Sequence, residues 1–307
     1  MKGSLSLSAR CAVAAVSLRN AFGSRQPQLS LITDFGSGDE AVYAIRSAAS
    51  HVNPEATAVD ICHDVPIGNI LLGAWRLNRA VSLPTERKGT AYVAVVDPGV
   101  GSRRKNIAVQ TEDGKFLVGP DNGVLSLAFA SRGVSRAVEI ENPELTLLHF
   151  AQSRTFHGKD VFAPAAAHLL RGVPLREFGR ELSVSELARI TISAESSERS
   201  RAGCLVDIDG FGSIRTNVPN HVPESFIGRG AEFEISGLPK PVGGRAKVVR
   251  TFAEAGKGET VFVLSSTGCL DLAVNLGSAS EKLGIGGADI RLDESLRPAL
   301  KVRLEFS

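Results

Sequence analysis

Two aspartates in this sequence of 307 residues stand directly after apolar segments. Asp34 follows "LSLIT", and Asp97 follows "YVAVV" and precedes Pro98-Gly99. Apolar runs of this length predict buried β-strands, and ligands of α/β sheets bind at the carboxyl ends of the strands. Aspartate before a turn is also common as a helix N-cap or in an Asx turn. Each carboxylate therefore has a structural interpretation beside the chemical one.

An imidazole and several cations could act together with these carboxylates. Three basic residues, Arg103–Lys105, follow the turn after Asp97, and His157 lies in "RTFHGKD" directly before a predicted helix. A histidine in a loop beside a glycine is expected to be exposed, whereas His168 inside the helix is expected to be structural. The residue types alone predict an α/β enzyme with a site at Asp34, Asp97 and His157.

Several other kinds of site are disfavoured by the sequence. "DPGVGS" lacks the G-K-[ST] ending of a phosphate loop, and there is no G-x-S-x-G or H-E-x-x-H motif. The four cysteines form no C-x-x-C pair, which disfavours a zinc ribbon or a disulfide framework and fits reduced thiols in an intracellular protein. A net charge of +2 disfavours a nucleic-acid binder, and the apolar run Cys11–Leu18 is too short to span a membrane. We expect no metal, no nucleic-acid partner and no membrane partner.

The first 28 residues differ in composition from the rest. They are rich in Ser and Ala, carry four basic side chains and have no acidic residue. This composition resembles an organelle transit peptide, and a non-functional tail or an over-extended start fits equally well. We predict an unstructured or targeting tail over residues 1–28 and a cytoplasmic location, with organelle import as the alternative.

The remaining pattern predicts two domains joined by a linker. Residues 29–191 alternate between strands and helices, as in an α/β domain with a mainly parallel central sheet. Polar residues 192–203 read as the linker, and short alternating segments with few helical patterns in 204–307 predict a small all-β, barrel-like domain.

Individual elements follow from local signals. Ser37 and Glu40 have capping-box spacing before a helix, Trp75 lies on a second amphipathic helix, and Asp113-Gly114 predicts a hairpin turn. "DVFAPAAAHLLRG" predicts a helix with Pro164 in its first turn. The strands predicted in the second domain are "CLVDID", "AKVVRTF", "ETVFVLS", "DIRLD" and "ALKVRLEF".

Six short motifs occur in one order over most of the chain: "TDFG", "HDVP", "VVDPGVGS", "GPDNG", "TFHGKDVFAPAAAHL" and "IDGFGSIRTN". Together they resemble the S-adenosyl-L-methionine hydroxide adenosyltransferase family, which is related to the fluorinase and chlorinase enzymes. The resemblance extends over about residues 29–295. It implies hydrolysis of S-adenosyl-L-methionine to adenosine and L-methionine, without a cofactor, by attack of water or hydroxide on the 5′ carbon.

The resemblance also assigns residues. It implies a catalytic triad of Asp97, Arg104 and His157, and Asp34 as the residue that binds the ribose. The implied substrate-binding residues are Asp34, Asp39, Phe211, Ser213, Ser266, Asp271 and Val274. Ser213 departs from the family, which usually has Asn there, and a serine reaches less far.

Two rival functions remain open at this stage. A halogenase would join chloride or fluoride to the same carbon, but halogenases of this group replace the segment that carries Asp97 and Arg104. A non-catalytic sensor of S-adenosyl-L-methionine or adenosine is the other rival. The resemblance further implies a homotrimer with its sites at subunit interfaces and a small molecule as the substrate.

Overall fold

The computed structural model describes residues 26–85, 88–150 and 155–306. These residues fall into two compact units, with the boundary between Arg189 and Ile190. Of the predicted tail, residues 1–25 lie outside the described residues, and Gln28 already belongs to the first strand. No helix in the described ranges is long and apolar enough to cross a membrane.

The first unit is built on a seven-stranded sheet with the order β2-β1-β3-β5-β4-β6-β7. The pairs β2-β1, β1-β3 and β3-β5 are parallel, and the remaining pairs are antiparallel. The strands are β1 (Gln28–Thr33), β2 (Thr57–Cys62), β3 (Ala91–Val95), β4 (Asn106–Thr111), β5 (Phe116–Pro120), β6 (Val134–Glu139) and β7 (Glu181–Leu182). This architecture confirms the predicted α/β class.

The described part of this unit has four α-helices: α1 (Glu40–Val52), α2 (Ile70–Val81), α3 (Ser126–Arg132) and α4 (Ala163–Leu170). A π-helix, Gly158–Phe162, leads directly into α4. The helices begin close to where the apolar periodicity predicts them, because each buries one face against the sheet. The predicted helix with Trp75 is α2, and Trp75 is buried.

The predicted capping box at the start of α1 is wrong. The helix begins at Glu40, so Asp39 is the N-cap, and its carboxylate accepts a hydrogen bond of 2.7 Å from the backbone N–H of Ala41. Asp39 has the extended backbone that an N-cap needs, whereas Ser37 lies too early in the chain to cap this helix.

The predicted hairpin at Asp113-Gly114 is confirmed. Strands β4 and β5 pair antiparallel around it, and Gly114 has a φ of +82°, which favours glycine. Since β5 also pairs with β3, the hairpin places the start of β4 at the same edge of the sheet as the carboxyl end of β3, with β5 between them. The chain segment after Asp97 returns to the sheet at that place.

The second unit is a closed barrel of seven strands, since β10 pairs with β14 on one side and with β9 on the other. The barrel strands are β9 (Ser200–Ile208), β10 (Ile214–Pro219), β11 (Gly230–Ser236), β12 (Val242–Val249), β13 (Thr260–Leu264), β14 (Cys269–Val274) and β15 (Lys301–Phe306). A two-residue strand, β8 (Glu195–Ser196), pairs with β9 outside the ring, and the unit has one short helix, α5 (Ala279–Leu283). The predicted barrel-like class is confirmed, and β8, β10, β11 and β14 are additions to the predicted strands.

Two local predictions in this unit are wrong. Residues 192–203, predicted as a linker, contain β8 and the first part of β9; their polar composition reflects an exposed edge strand. The segment "DIRLD" forms only the isolated bridge Leu292↔Pro298. It cannot continue as a strand because the chain turns back at Asp293, whose carboxylate accepts hydrogen bonds from the N–H groups of Ser295 and Arg297.

Candidate active site

Asp34 and Asp97 follow two neighbouring parallel strands of the first unit. Strands β1 and β3 pair in register through Thr33↔Val95, so the segments that follow them leave the sheet at the same edge. The negative charge of Asp97 contributes to the raised pKa of Asp34, after the larger effect of burial. The sheet thus brings the two carboxylates to one side, as the strand ends predict.

Asp97 binds Arg104 through both carboxylate oxygens. Arg104 Nε donates to Asp97 Oδ1 at 3.0 Å, and Nη2 donates to Oδ2. The side chains are 3% exposed for Asp97 and 9% for Arg104. The connecting turn is tight: Gly101 has a φ of +78°, and the N–H of Val100 donates to the carbonyl of Asp97. A buried bidentate pair of this kind fixes both the position and the plane of the guanidinium.

His157 completes the predicted set of three. It occupies the N-cap position of the π-helix, is half-buried, and its Nδ1 lies 2.8 Å from Arg104 Nη2. The expectation of an exposed loop histidine is therefore wrong, because the ring packs edge-on against Phe162. Gly158 lets the start of the π-helix pack closely against α1 and β3, since a Cβ there would lie 3.1 Å from Ile45 Cδ1 and 3.3 Å from Val95 Cγ1. A π-helical turn in place of a regular one is frequent at functional sites.

The protonation of His157 follows from its partner. A guanidinium can only donate, so Nδ1 accepts, and the proton of the neutral ring is on Nε2. Burial and the charge of Arg104 lower the pKa of His157 below its ordinary value of 6.5, so the ring is neutral at neutral pH. The imidazole thus has an N–H that is not directed at Arg104.

Asn106 is a fourth residue in contact with Arg104 and His157, and it was not among the residues predicted from the sequence. Arg104 Nη1 donates to Asn106 Oδ1, and the same oxygen lies 3.2 Å from His157 Nδ1. Asn106 opens β4, two positions after Arg104, and alternate residues of an extended chain point to the same side. That spacing could have indicated Asn106, although nothing else separates it from an ordinary first residue of a strand.

Asp34 is held by a backbone donor from another loop. Its Oδ2 accepts a hydrogen bond of 2.7 Å from the N–H of Gly68, and burial raises its pKa above 3.8. Asp34 does not serve as a helix N-cap, the structural role that its sequence position also allowed, because Asp39 is the N-cap of α1. Phe35, next to Asp34, packs edge-on against Phe156 at 5.7 Å between ring centroids, so the two segments that carry Asp34 and His157 are in contact.

Asp39 lies apart from these contacts. It is exposed, and its carboxylate is engaged as the N-cap of α1. Asp121 and Asn122 of the "GPDNG" turn have backbone partners: Asp121 accepts from the N–H of Ala188, and Asn122 donates to the carbonyl of Val96. Through Asn122, this turn holds the residue between β3 and Asp97.

The predicted residues of the second unit lie along the pair β10-β14. Phe211, 84% exposed, and Ser213, 8% exposed, precede β10, and the register Ile214↔Leu272 places them near the end of β14 that carries Val274. Ser266 is exposed in the turn before β14, at the opposite end of that strand.

Asp271 lies in the middle of β14, opposite Arg215 of β10, and is 5% exposed. At about 3.3 Å per residue, β14 is roughly 16 Å long. The barrel therefore spreads these five residues along one strand pair and does not gather them at one point.

Acidic, histidine and cysteine side chains do not cluster as metal ligands in the part of the chain that the structure describes. The thiols of Cys62 and Cys204 are not in disulfides, and burial raises the pKa of both.

Comparisons with known proteins agree with this architecture. Family models match both units: the SAM hydroxide adenosyltransferase N-terminal domain over residues 29–179, and the C-terminal domain over residues 203–291. A relative from Thermus thermophilus named (R)-S-adenosyl-L-methionine hydrolase is 35% identical over 268 residues, which cover 85% of this chain and 97% of the relative.

Two more distant comparisons point the same way. A protein of Nocardia brasiliensis named fluorinase is 27% identical over 83% of this chain and 92% of its own length. The crystal structure of an uncharacterised conserved protein from Thermotoga maritima superposes with a TM-score of 0.76 and 30% identity, covering 90% of this chain and 99% of that one. The chain belongs to the SAM hydroxide adenosyltransferase family.

Proposed function

We propose that this protein hydrolyses S-adenosyl-L-methionine to adenosine and L-methionine. The observation that carries the proposal is the contact set of Asp97, Arg104 and His157 at the carboxyl edge of the sheet. Family membership supplies the substrate, and relatives in which this activity is part of the name share about a third of their residues with this chain.

Among the described residues, the partners of Arg104 leave one of its N–H groups for a ligand. A guanidinium has five N–H donors. Nε and one N–H of Nη2 bind Asp97, the other N–H of Nη2 faces His157, and one N–H of Nη1 binds Asn106. The remaining N–H of Nη1 can hold the attacking oxygen.

The nucleophile is the difficult part of this reaction. Water is a weak nucleophile, and hydroxide is scarce at neutral pH. The free N–H of Arg104 and the Nε2–H of neutral His157 are both donors, and one belongs to a permanent cation, so they favour hydroxide over water. Asp97 fixes the guanidinium and can accept the proton that the water releases.

The leaving group needs no such help. The bond from the 5′ carbon to sulfur breaks as the new carbon–oxygen bond forms, and its electron pair neutralises the sulfonium to give the thioether of methionine. The catalyst must instead hold the oxygen in line with the carbon–sulfur bond, so positioning supplies much of the rate.

Asp34 fits the role of ribose ligand. The carboxylate accepts from the backbone N–H groups of Gly68 and of Asp34 itself, and a carboxylate with about four acceptor sites still has room for two hydroxyl donors. In this proposal Phe211, Ser213, Ser266, Asp271 and Val274 of the second unit bind the adenine and methionine parts. An extended row of ligands suits an extended substrate.

Product analysis separates this proposal from its rivals. Purified protein is incubated with S-adenosyl-L-methionine, with and without chloride or fluoride, and the nucleosides are separated by chromatography. Adenosine in every incubation supports hydrolysis. A 5′-halo-adenosine would support the halogenase, and unchanged substrate would support the sensor; either result contradicts the proposal.

Independence from a cofactor and trimeric assembly belong to the same proposal. Turnover is expected to persist after dialysis against a chelator. If the sites are shared between subunits, mixing Asp97→Ala subunits with subunits altered at Phe211 and Ser266 restores part of the activity, because some interfaces are intact on both sides. A monomer by light scattering, or no rescue on mixing, would refute shared sites.

A further inference from the structure

The "HDVPIG" segment, residues 63–68, holds the loop that carries Asp34 at two places. The N–H of Gly68 donates to the Asp34 carboxylate at 2.7 Å, and the N–H of Gly36 donates to the carbonyl of His63 at 2.6 Å. The segment therefore forms a support for residues 34–36, and its own histidine has no part in the chemistry described above.

The side chain of His63 reaches the residue directly before Asp34. It is 6% exposed, and its Nδ1 lies 2.9 Å from the hydroxyl of Thr33, which is completely buried. Thr33 Oγ1 in turn accepts from the N–H of Phe35 at 3.4 Å. The residues on both sides of Asp34 are thus connected through one hydroxyl to one imidazole.

The direction of this chain of contacts can be assigned. Burial, with the charge of Arg46 as a second cause, lowers the pKa of His63, so the ring is neutral at neutral pH. Its Nε2 lies 3.1 Å from Asp60 Oδ1 without a hydrogen bond to it, and the nearby carboxylate favours the proton on that nitrogen. Nδ1 then accepts from the Thr33 hydroxyl, whose lone pairs remain available for Phe35.

Asp60 links this arrangement to helix α1. Its carboxylate also binds Arg46 through both oxygens. The Nε2 side of the His63 ring therefore faces the Asp60–Arg46 ion pair, and its Nδ1 side faces the hydroxyl of Thr33. Such outer contacts commonly orient the residue that binds a ligand.

We infer that His63 is the positioning residue for Asp34 and that, through Thr33, it sets the selectivity of the site for a ribose diol. The inference rests on the proposed function, because it assigns the 2′ and 3′ hydroxyls of the substrate to Asp34. A purely structural histidine would instead weaken folding and leave diol selectivity as it is.

The test measures selectivity directly. Dissociation constants of adenosine and 2′,3′-dideoxyadenosine are determined by calorimetry, and their ratio is the diol selectivity. We expect the unaltered protein to prefer adenosine and His63→Ala to lose about tenfold of that preference, since a carboxylate that is no longer oriented loses one charge-assisted hydrogen bond.

Matched variants separate positioning from stability. Thr33→Val removes the same hydrogen bond from the other side and should lower the ratio equally, and the double variant should lose little more. His63→Asn keeps an acceptor near the position of Nδ1 and should retain most of the preference. His168→Ala removes another partly buried histidine of this unit and should change the melting temperature only.

The outcomes are distinct. An unchanged ratio in folded His63→Ala or in Thr33→Val overturns the inference, and Thr33→Val decides if His63→Ala does not fold. No diol preference in the unaltered protein also overturns it, by removing the role of Asp34. Hydrolysis by the same preparation, measured separately, shows whether the proposed function survives that result.

Discussion

The two units present their proposed ligands in opposite ways. In the first unit Asp97, Arg104 and His157 are already joined by hydrogen bonds and are largely withdrawn from solvent. In the second unit Phe211 and Ser266 are exposed and lie towards opposite ends of one strand pair. Groups that stabilise a transition state gain most from being fixed in advance, whereas groups that bind an extended substrate need only be spaced to match it.

The largest effect is expected when a residue of the hydrogen-bonded set Asp97, Arg104 and His157 is removed. Asp97→Ala, Arg104→Ala and His157→Ala should each lower kcat at least about 100-fold, as for the loss of a positioned general base or oxyanion donor. Each loss is measured by steady-state kinetics on protein whose circular dichroism shows it to be folded.

A double variant tests whether the three act as one unit. Asp97→Ala/Arg104→Ala should be scarcely slower than the slower single variant, because each substitution already disables the same arrangement. If the two single losses in kcat multiply in the double variant, Asp97 and Arg104 have independent roles and do not act as one unit.

The pH dependence of kcat/KM should reveal the protonation of His157 at acid pH. The pKa of His157 is lowered, so the neutral, active form predominates at neutral pH and is lost as the pH falls through that lowered value. kcat/KM should therefore be level near neutrality and through pH 6.5, and decline towards tenfold per pH unit only below the lowered pKa of His157. An acid limb centred above pH 6.5 would mean that His157 is held in its protonated form.

Asn106 tests how much orientation adds to the bidentate pair. Asn106→Ala should lower kcat by up to about tenfold with little change in KM, because Arg104 keeps Asp97 but loses its third anchor. Asn142→Ala is the control: Asn142 caps a short 3₁₀ helix, so it should affect only the melting temperature. Equal kinetic effects of the two variants would remove Asn106 from the site.

The smallest effect is expected in the second unit. Ser213→Asn introduces the residue usual in the family and should lower KM by about threefold while kcat is unchanged, as for one added neutral hydrogen bond. Ser213→Ala should change KM little, because the serine reaches less far. A decrease in kcat instead would connect this residue to the chemistry of the first unit.

Much of this arrangement could be predicted from the sequence, for a physical reason. Asp34 and Asp97 follow apolar segments that predict buried strands within a strand–helix alternation, and parallel strands bring their ends together. The glycine at the Asp113-Gly114 turn likewise specified the hairpin that returns Asn106 to the sheet.

Other features depend on contacts that no local pattern contains. Asp39 replaced Ser37 as the cap because α1 starts at Glu40, and His157 is half-buried because Phe162 packs against it. The contacts of Asn106 with Arg104 and His157 depend on β4 starting at the edge of the sheet where β3 ends. Long-range packing decided each of these points.

Transfer of oxygen from solvent tests the central claim most directly. The protein is incubated with S-adenosyl-L-methionine in ¹⁸O-labelled water, and the adenosine is examined by mass spectrometry. Direct attack by water or hydroxide predicts one ¹⁸O atom at the 5′ position of adenosine and unlabelled methionine, with and without chelator. Adenosine without the label, or label in methionine, would contradict this account.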